Sequence, residues 1–499
     1  MGKVPTIIEA IESPKLFGPA IGPLESWSHW LTFLRTLYGL PFSDPEDAAI
    51  FQSCTGRTGP LATGYSEAYA LVGRRGGKSR MAAIIAAYEA ILGPWSERLS
   101  AGERGWVFIV ATDKRQAGIC LDYIRSILAL FPDMVEKSGQ EEIHLKNNIS
   151  IGLKTCTFRA SRGYTTCFVV ADELAFWRDE NSANPAEEII NSILPGLMPG
   201  AKLVGISTPY GRLGYLWEIH KNYWGKDSDL LCWKASTRFM NPKFEESVIR
   251  RLIARDPSVF RAEFEGEFRE DIESFLPLEL ITAAMTRDLS VPDLRNRYVA
   301  FCDPSGGRQD SMTLAIAHTE GEKICLDRCE EVKSPFDPCE VVKEFAGIMK
   351  AFGISSCTTD RFGGVWVEDA FKKQGIRTEM SDLSASDIYL ESRALLSMGR
   401  VELLKSERLQ LQLQQLERRT APGGRDRVDH PAGGHDDVAN ACCGAVVYVQ
   451  RNHPRTLAEM EKYLPIKSEH RSPLARAKSF EASAEEEMRD FMGGSRIIR

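Results

Sequence analysis

No stretch of this chain of 499 residues is apolar for long enough to cross a bilayer, which takes about 18–20 residues. The most apolar run, Met81 to Gly93, is short and carries Tyr88 and Glu89, so it reads as a buried helix. The N-terminus has acids at Glu9 and Glu12 and lacks a hydrophobic signal core, and a cytoplasmic location is expected. There is no excess of positive charge either. Against 62 Lys and Arg stand 69 Asp and Glu, a net charge of −7, so any contact with nucleic acid has to come from local basic surface. The twelve cysteines form no zinc signature. Cys325 and Cys329 are spaced C-x3-C with Cys339 nearby, but no second pair completes a site, and reduced, buried thiols are expected. Internal repeats are missing, and a composition 43% hydrophobic and 26% charged excludes a disordered or fibrous chain. What is there is globular material for about three domains.

The first 60 residues read as a helical arm with Trp27, Trp30 and Phe33 at near-helical spacing. From 61 to 270 short apolar strands alternate with helical patterns, which predicts a mainly parallel α/β sheet. The expected strands are Tyr69–Gly73, Trp106–Ala111, Cys167–Asp172, Lys202–Ser207 and Leu230–Lys234, with helices from Lys78, from Arg115 and around Gly211. A charged helical stretch from Phe244 to Asp271 leads into a polar connector over 271–295. A second α/β pattern fills 296–450, with strands at Tyr298–Asp303, Met312–His318, Lys323–Arg328 and Ser355–Asp360 and a closing helix from Asp436. Residues 451–499 read as a tail of mixed charge.

Leu71-Val-Gly-Arg-Arg-Gly-Gly-Lys-Ser79 sits between an apolar strand and a strong helix. Gly73, Arg74, Arg75, Gly76 and Gly77 supply backbone N–H groups that can curl around phosphate oxygens at a helix N-terminus. Lys78 would reach the terminal phosphates and Ser79 would ligate Mg²⁺. Val72 stands where the usual phosphate loop has glycine. The run Cys167-Phe-Val-Val-Ala-Asp-Glu173 is a buried strand ending in two acids. In the same sheet as a phosphate loop, Asp172 is placed to hold Mg²⁺ and Glu173 to orient the attacking water. Ser207 and Thr208 end a third strand, where open α/β sheets bind ligands. Together these point to ATP hydrolysis. Arg74 and Arg162 are the two candidates for an arginine that stabilises charge on the transferring phosphoryl group.

In the second half, Asp303 and Asp360 each end an apolar strand, and Asp436 and Asp437 open the last apolar helix. Acids in that arrangement can hold two divalent cations, Mg²⁺ or Mn²⁺, for phosphodiester cleavage. Adjacent helix residues point about 100° apart, so one of the pair is the primary ligand. Asp437 is the choice, with Asp436 as helix cap or supporting acid. Between Arg393 and Arg427 there are eight basic residues against four acids, and Pro422–Arg427 reads as a basic finger suited to a phosphate backbone.

These motifs resemble the large terminase subunit of tailed bacteriophages or prophages, over roughly residues 50 to 450. The resemblance rests on the arginine-bearing phosphate loop, Val170-Ala-Asp-Glu-Leu-Ala-Phe-Trp177, Ala111-Thr-Asp-Lys-Arg-Gln-Ala117, the Ser207-Thr-Pro209 coupling segment, and Asp303, Asp360 and Asp436/Asp437 in the order of a ribonuclease H-like nuclease. It implies a P-loop ATPase domain followed by a ribonuclease H-like nuclease domain. It also implies ATP with Mg²⁺ as fuel, double-stranded DNA as substrate, and a portal ring and small terminase subunit as partners. A homo-oligomeric ring on the portal, in a host cytoplasm, belongs to the same expectation. Gln52 is the candidate for that family's adenine contact. A helicase-type or repair translocase with an appended nuclease would need a second motor domain, and 296–450 carries no phosphate loop. A non-catalytic nucleotide-dependent scaffold is disfavoured by intact Lys78, Asp172, Glu173, Asp303 and Asp360.

Overall fold

The computed structural model describes residues 4–156, 163–177, 182, 184–244, 260–308, 310–361, 364–420, 426–431 and 434–452. Strands β1 (Glu67–Val72), β2 (Gly105–Ala111), β3 (Val135–Ser138), β4 (Glu142–Leu145), β5 (Ile149–Thr155), β6 (Thr165–Asp172), β7 (Leu197–Ser207), β8 (Gly211–Arg212) and β9 (Leu230–Ala235) come first. All but β8 form one sheet in the order β3-β4-β5-β2-β6-β7-β1-β9. Its pairings from β5 to β9 are parallel, while β4 runs antiparallel to both of its neighbours, β3 and β5. β1 and β6 are buried along nearly their whole length, as expected of central strands with both faces covered. One face is covered by the helices Lys78–Leu92 and Lys114–Leu128 together with N-terminal residues such as Phe17, Trp30, Phe33 and Phe51. The other face is covered by Trp177, Ile190, Leu216 and Ile219 from shorter helices and turns. Leu71 lies beside Ser207, and Asp172 beside Ile206, so the C-terminal ends of β1, β6 and β7 converge.

The second unit is built on β11 (Met285–Arg287), β12 (Tyr298–Asp303), β13 (Met312–Glu320), β14 (Lys323–Val332), β15 (Ser356–Thr359), β16 (Arg377–Met380) and β17 (Val401–Leu404), preceded by β10 (Arg269–Ser274). Its sheet has the order β11-β17-β14-β13-β12-β15-β16. An antiparallel meander β12-β13-β14 is extended by β15 and β16 parallel to β12, the strand arrangement of a ribonuclease H-like fold. The helix Asp437–Arg451 lies across this sheet and is buried along most of its length. The ends of β12 and β15 and the start of that helix are brought together as a result.

A third, four-stranded sheet joins the two units. It runs β19 (Asp426–Asp429), β18 (Glu417–Thr420), β10, β8. Here the structure departs from the sequence reading. The helix expected over Phe244–Asp271 lies partly at 245–259, outside the described residues. Its remaining portion is one π-helical turn, Arg261–Glu265, followed by β10. The connector expected to be polar contributes Phe275, Leu276, Ile281 and Ala284 to the core of the second unit. The helix expected around Gly211 begins at Gly214, because Gly211 and Arg212 pair with β10. Among the described residues no helix is long and apolar enough to cross a membrane. All twelve cysteines are free thiols, most of them buried.

Two candidate functional sites

The first site lies at the C-terminal edge of the large sheet. Val72, the residue that breaks the usual loop pattern, is the last residue of β1 and is buried. The backbone turn falls at Gly73 instead, where a Cβ would lie 2.3 Å from Thr237 Oγ1 and 2.5 Å from the Phe264 carbonyl oxygen. Only glycine fits there. Trp30 Nε1 donates to the Gly76 carbonyl at 2.7 Å, and Asn241 donates to that of Arg75 at 2.9 Å. The loop is therefore fixed from the N-terminal arm on one side and from the segment after β9 on the other.

Lys78 is buried at 6% exposure, and its ammonium donates to the Val72 carbonyl and to Thr208 Oγ1, each at 2.8 Å. Burial holds its pKa below the usual lysine value, opposed by the charges of Glu173 and Asp172. Glu173 Oε1 lies 3.9 Å from that ammonium. The other Glu173 oxygen accepts from Ser207 Oγ at 3.4 Å and from the Thr208 N–H at 3.3 Å. Glu173 itself has φ 51°, a left-handed backbone that costs a non-glycine residue about 1 kcal/mol and is held by Trp177 Nε1 on the Asp172 carbonyl. Asp172 is buried, and that burial followed by the Glu173 charge pushes its pKa up to about 7. Its Oδ1 has no hydrogen-bond partner among the described residues. A buried carboxylate oxygen left in this way fits a divalent cation.

The loop, Ser79, Asp172 and Glu173 line a cavity of ≈ 630 Å³ whose far wall includes Trp27, Gln116 and Tyr123. Gln52 is not on it; it is an exposed residue of the helix Pro45–Thr55. The glutamine on the cavity lining is Gln116. Arg74 borders the cavity, but its guanidinium is largely exposed and pairs with Glu263 at 3.1 Å. Arg162, the other arginine candidate, lies outside the described residues, as does most of the Pro422–Arg427 finger.

The second site sits where β12, β15 and the last helix meet. Asn440, one turn into that helix and 3% exposed, donates through Nδ2 to Asp303 Oδ2 at 2.9 Å and to Asp360 Oδ2 at 2.6 Å. Burial raises the Asp303 pKa well above the usual carboxylate range, and the neighbouring charges of Asp360, Asp437 and Asp436 add to it. Burial and then the Asp436 charge push Asp437 up to about 6. Asp436 accepts from the Tyr389 hydroxyl at 2.7 Å and makes no side-chain cap hydrogen bond to the helix it precedes. The capping role expected of Asp436 is therefore not seen, and Tyr389 holds it instead. Asp437 Oδ2 and Asn440 Oδ1 are buried with no hydrogen-bond partner among the described residues. Buried, clustered acids with bare oxygens are the donor set of a divalent-cation centre, which Asp303, Asp360 and Asp437 could hold as carboxylate ligands.

Gly444 makes this convergence possible. A Cβ there would lie 2.5 Å from the Phe301 ring, so the helix can approach β12 only without one. Sequence reading missed Asn440. The sole signal was its spacing three residues after Asp437, which puts both on one helix face. At the hairpin end of β13 and β14 the ligand atoms of His318, Glu320 and Cys325 lie within 4.8 Å of one another, a spacing that Asp303, Asp360 and Asp437 do not reach as a trio. Arg287 supplies the cation there, pairing with Glu320 at 3.2 Å, Asp327 at 3.5 Å and Glu402 at 3.3 Å.

No protein-family model matches the chain, and no curated protein sequence matches it. Solved structures do. The chain is similar to the large terminase of the HK97 bacteriophage, with 17% identity over 89% of this chain and 99% of that one and a TM-score of 0.44. It is similar to the large terminase ATPase domain of Thermus phage P74-26, a mutant form, with 19% identity over 47% of this chain and 98% of that one and a TM-score of 0.33. A third likeness is to the large terminase nuclease of thermophilic phage G20c with bound magnesium, with 14% identity over 34% of this chain and 95% of that one and a TM-score of 0.30. In each case the similar structure is a bacteriophage large terminase or one of its domains.

Proposed function

We propose that this chain is a viral DNA-packaging motor subunit, one that hydrolyses ATP to translocate double-stranded DNA into a procapsid and cuts concatemeric DNA with a two-metal endonuclease. The observation that carries the reading is the presence, on one chain, of two separately cored sites of different chemistry. At the first, Gly73–Gly77 would cradle phosphate oxygens, Lys78 would neutralise their charge, and Ser79 and Asp172 would hold Mg²⁺. Glu173, within reach of Lys78, Ser207 and Thr208, would orient the attacking water and report phosphate release to the end of β7.

At the second site Asp303, Asp360 and Asp437 would hold the cations, with Asp436 as a supporting acid. The bound metals would supply a water nucleophile at neutral pH and stabilise the leaving oxygen. Asn440, Tyr389 and the Arg361 N–H, which donates to Asp360, fix the carboxylates in place. The portal ring, the small terminase subunit and a homo-oligomeric ring are the partners this reading implies. Within such a ring Arg162 would complete a neighbouring site, while Arg74 would stabilise phosphoryl charge from within its own loop. The test is DNA-stimulated ATP turnover and Mg²⁺- or Mn²⁺-dependent plasmid cleavage on one preparation. A protein that turned over ATP without any response to DNA, and left plasmid intact with both metals, would overturn the reading.

A further inference from the structure

Asn440 is the one uncharged member of the carboxylate cluster and the only side chain seen to bridge two of its acids among the described residues. Its position is strongly determined. It lies on the buried face of the last helix, between Asp437 one turn earlier and Gly444 one turn later, where the helix meets Phe301. Both amide hydrogens are spent on carboxylates, one from each strand end. Its side-chain carbonyl oxygen is buried and accepts no hydrogen bond among the described residues.

Two carboxylates brought together without a counter-charge repel. The pairing of β12 with β15, with the Asp360 N–H donating to the Cys302 carbonyl at 3.1 Å, sets the spacing of their backbones but not the orientation of their carboxyl groups. The amide settles it. Each hydrogen takes the Oδ2 of one acid, which sets both carboxyl planes and leaves Oδ1 of Asp303 turned away from the bridge. Asp360 is held at its second oxygen by the Arg361 N–H. The pair is thus oriented before any cation arrives, by a donor too short to reach further and too buried to swing away. An aspartate at 440 would add to the like charge instead of bridging it.

We propose that Asn440 is a positioning residue of the metal centre, which clamps Asp303 and Asp360 in the geometry a divalent cation requires and so sets the affinity of the site. This rests on the nuclease reading of those acids. Supporting residues of this kind change metal affinity about 10- to 100-fold when removed.

The test is Mn²⁺ binding by full-length protein, read by calorimetry and by the loss of the free-ion electron paramagnetic signal. The parent is compared with Asn440→Leu, which keeps the branched shape without a donor, and Asn440→Ser, which is smaller but keeps one donor hydrogen. Melting in EDTA verifies that each variant is folded. The expected order of affinity is parent, then Ser, then Leu, with Leu about 10- to 100-fold weaker than parent. A purely space-filling role gives the opposite order, with Leu at or above Ser, and overturns the proposal. So does parental affinity in both variants. A parent that binds no Mn²⁺ overturns the nuclease reading and the clamp with it, whereas a binding parent with unchanged variants overturns the clamp alone.

Discussion

Lys78 spends its donors inside the protein, on the Val72 carbonyl and Thr208, with Glu173 a step further away. In the proposed role, nucleotide binding would exchange these protein acceptors for phosphate oxygens at the same ammonium. Lys78→Ala is expected to weaken ATP binding about 10- to 100-fold, the size of a lost charged hydrogen bond. Glu173→Ala is expected to bind ATP as the parent does and to hydrolyse it about 10²- to 10⁴-fold more slowly, since it removes the group that orients water. Titration with a fluorescent ATP analogue and a phosphate-release assay separate the two, and parental hydrolysis by Glu173→Ala would remove it from the mechanism. At this scale the sequence was legible where a residue type marks the edge of an element: Asp172, Asp303 and Asp360 sit where an apolar strand stops, and Lys78 opens the helix after the glycine-rich turn that follows β1. Asn440 was not legible, because its role depends on two strands 57 residues apart meeting one helix face. That Gln116 and not Gln52 lines the cavity beside the loop was not legible for a related reason, since packing and not order along the chain decides it.

Among the elements, the helix Gly214–Tyr223 carries a histidine with an unusual titration. His220 stacks between Trp217 and Trp224, meets Phe268, and has neither ring nitrogen hydrogen-bonded among the described residues. Burial, with the Lys234 charge behind it, lowers its pKa to about 4. An unfolded histidine takes up its proton near pH 6.5, whereas the folded one stays neutral until about 4. The unfolded state binds more protons between those values, so stability is lost as pH falls through that window. His220→Phe is expected to flatten this acid limb, visible as a smaller drop in melting temperature between pH 7 and 4.5; parallel slopes for the two proteins would contradict it. A second element-scale expectation concerns β18. Glu417 is 2% exposed, accepts from Tyr210 Oη at 3.0 Å and pairs with Arg419 at 3.0 Å. Glu417→Ala is expected to destabilise by about 2 kcal/mol, less than a fully buried pair because Arg419 reaches solvent. Urea unfolding measures it. These elements also show where pattern reading stops. β1, β2, β6, β7 and β12 are runs of apolar residues and were found to within a few positions. β10, Arg-Glu-Asp-Ile-Glu-Ser, buries only Ile272 and is a strand because β8 and β18 flank it. β3 to β5 escaped because β3 is mostly exposed and the turn into β5 depends on Asn148 at φ 62°.

For the whole molecule, the cores beneath the two sites are distinct, and no residue of the phosphate loop lines the carboxylate cluster. Asp303→Ala or Asp360→Ala is therefore expected to abolish cleavage with either Mg²⁺ or Mn²⁺ while ATP turnover stays within about twofold of parental. Cleavage gels and a coupled ATPase assay check this, and an Asp360→Ala protein that still cut DNA would contradict the site assignment. Distinct cores do not make separable pieces, however. The small sheet takes β8 from before residue 213, β10 from the middle of the chain and β18 and β19 from after 416, and Phe275 and Ile281 complete the second core from upstream of residue 290. During synthesis at about 5–20 residues per second, β10 pairs β8 on one side but must wait on the order of ten seconds for β18 to leave the ribosome and cover its other side. Until then the first unit carries an unfinished edge, and a nascent chain stalled in the second unit would present that edge to solvent. A fragment begun near residue 290 would leave the other side equally bare. A second unit that keeps β10 and its own core therefore starts near residue 266, and even then its small sheet lacks β8.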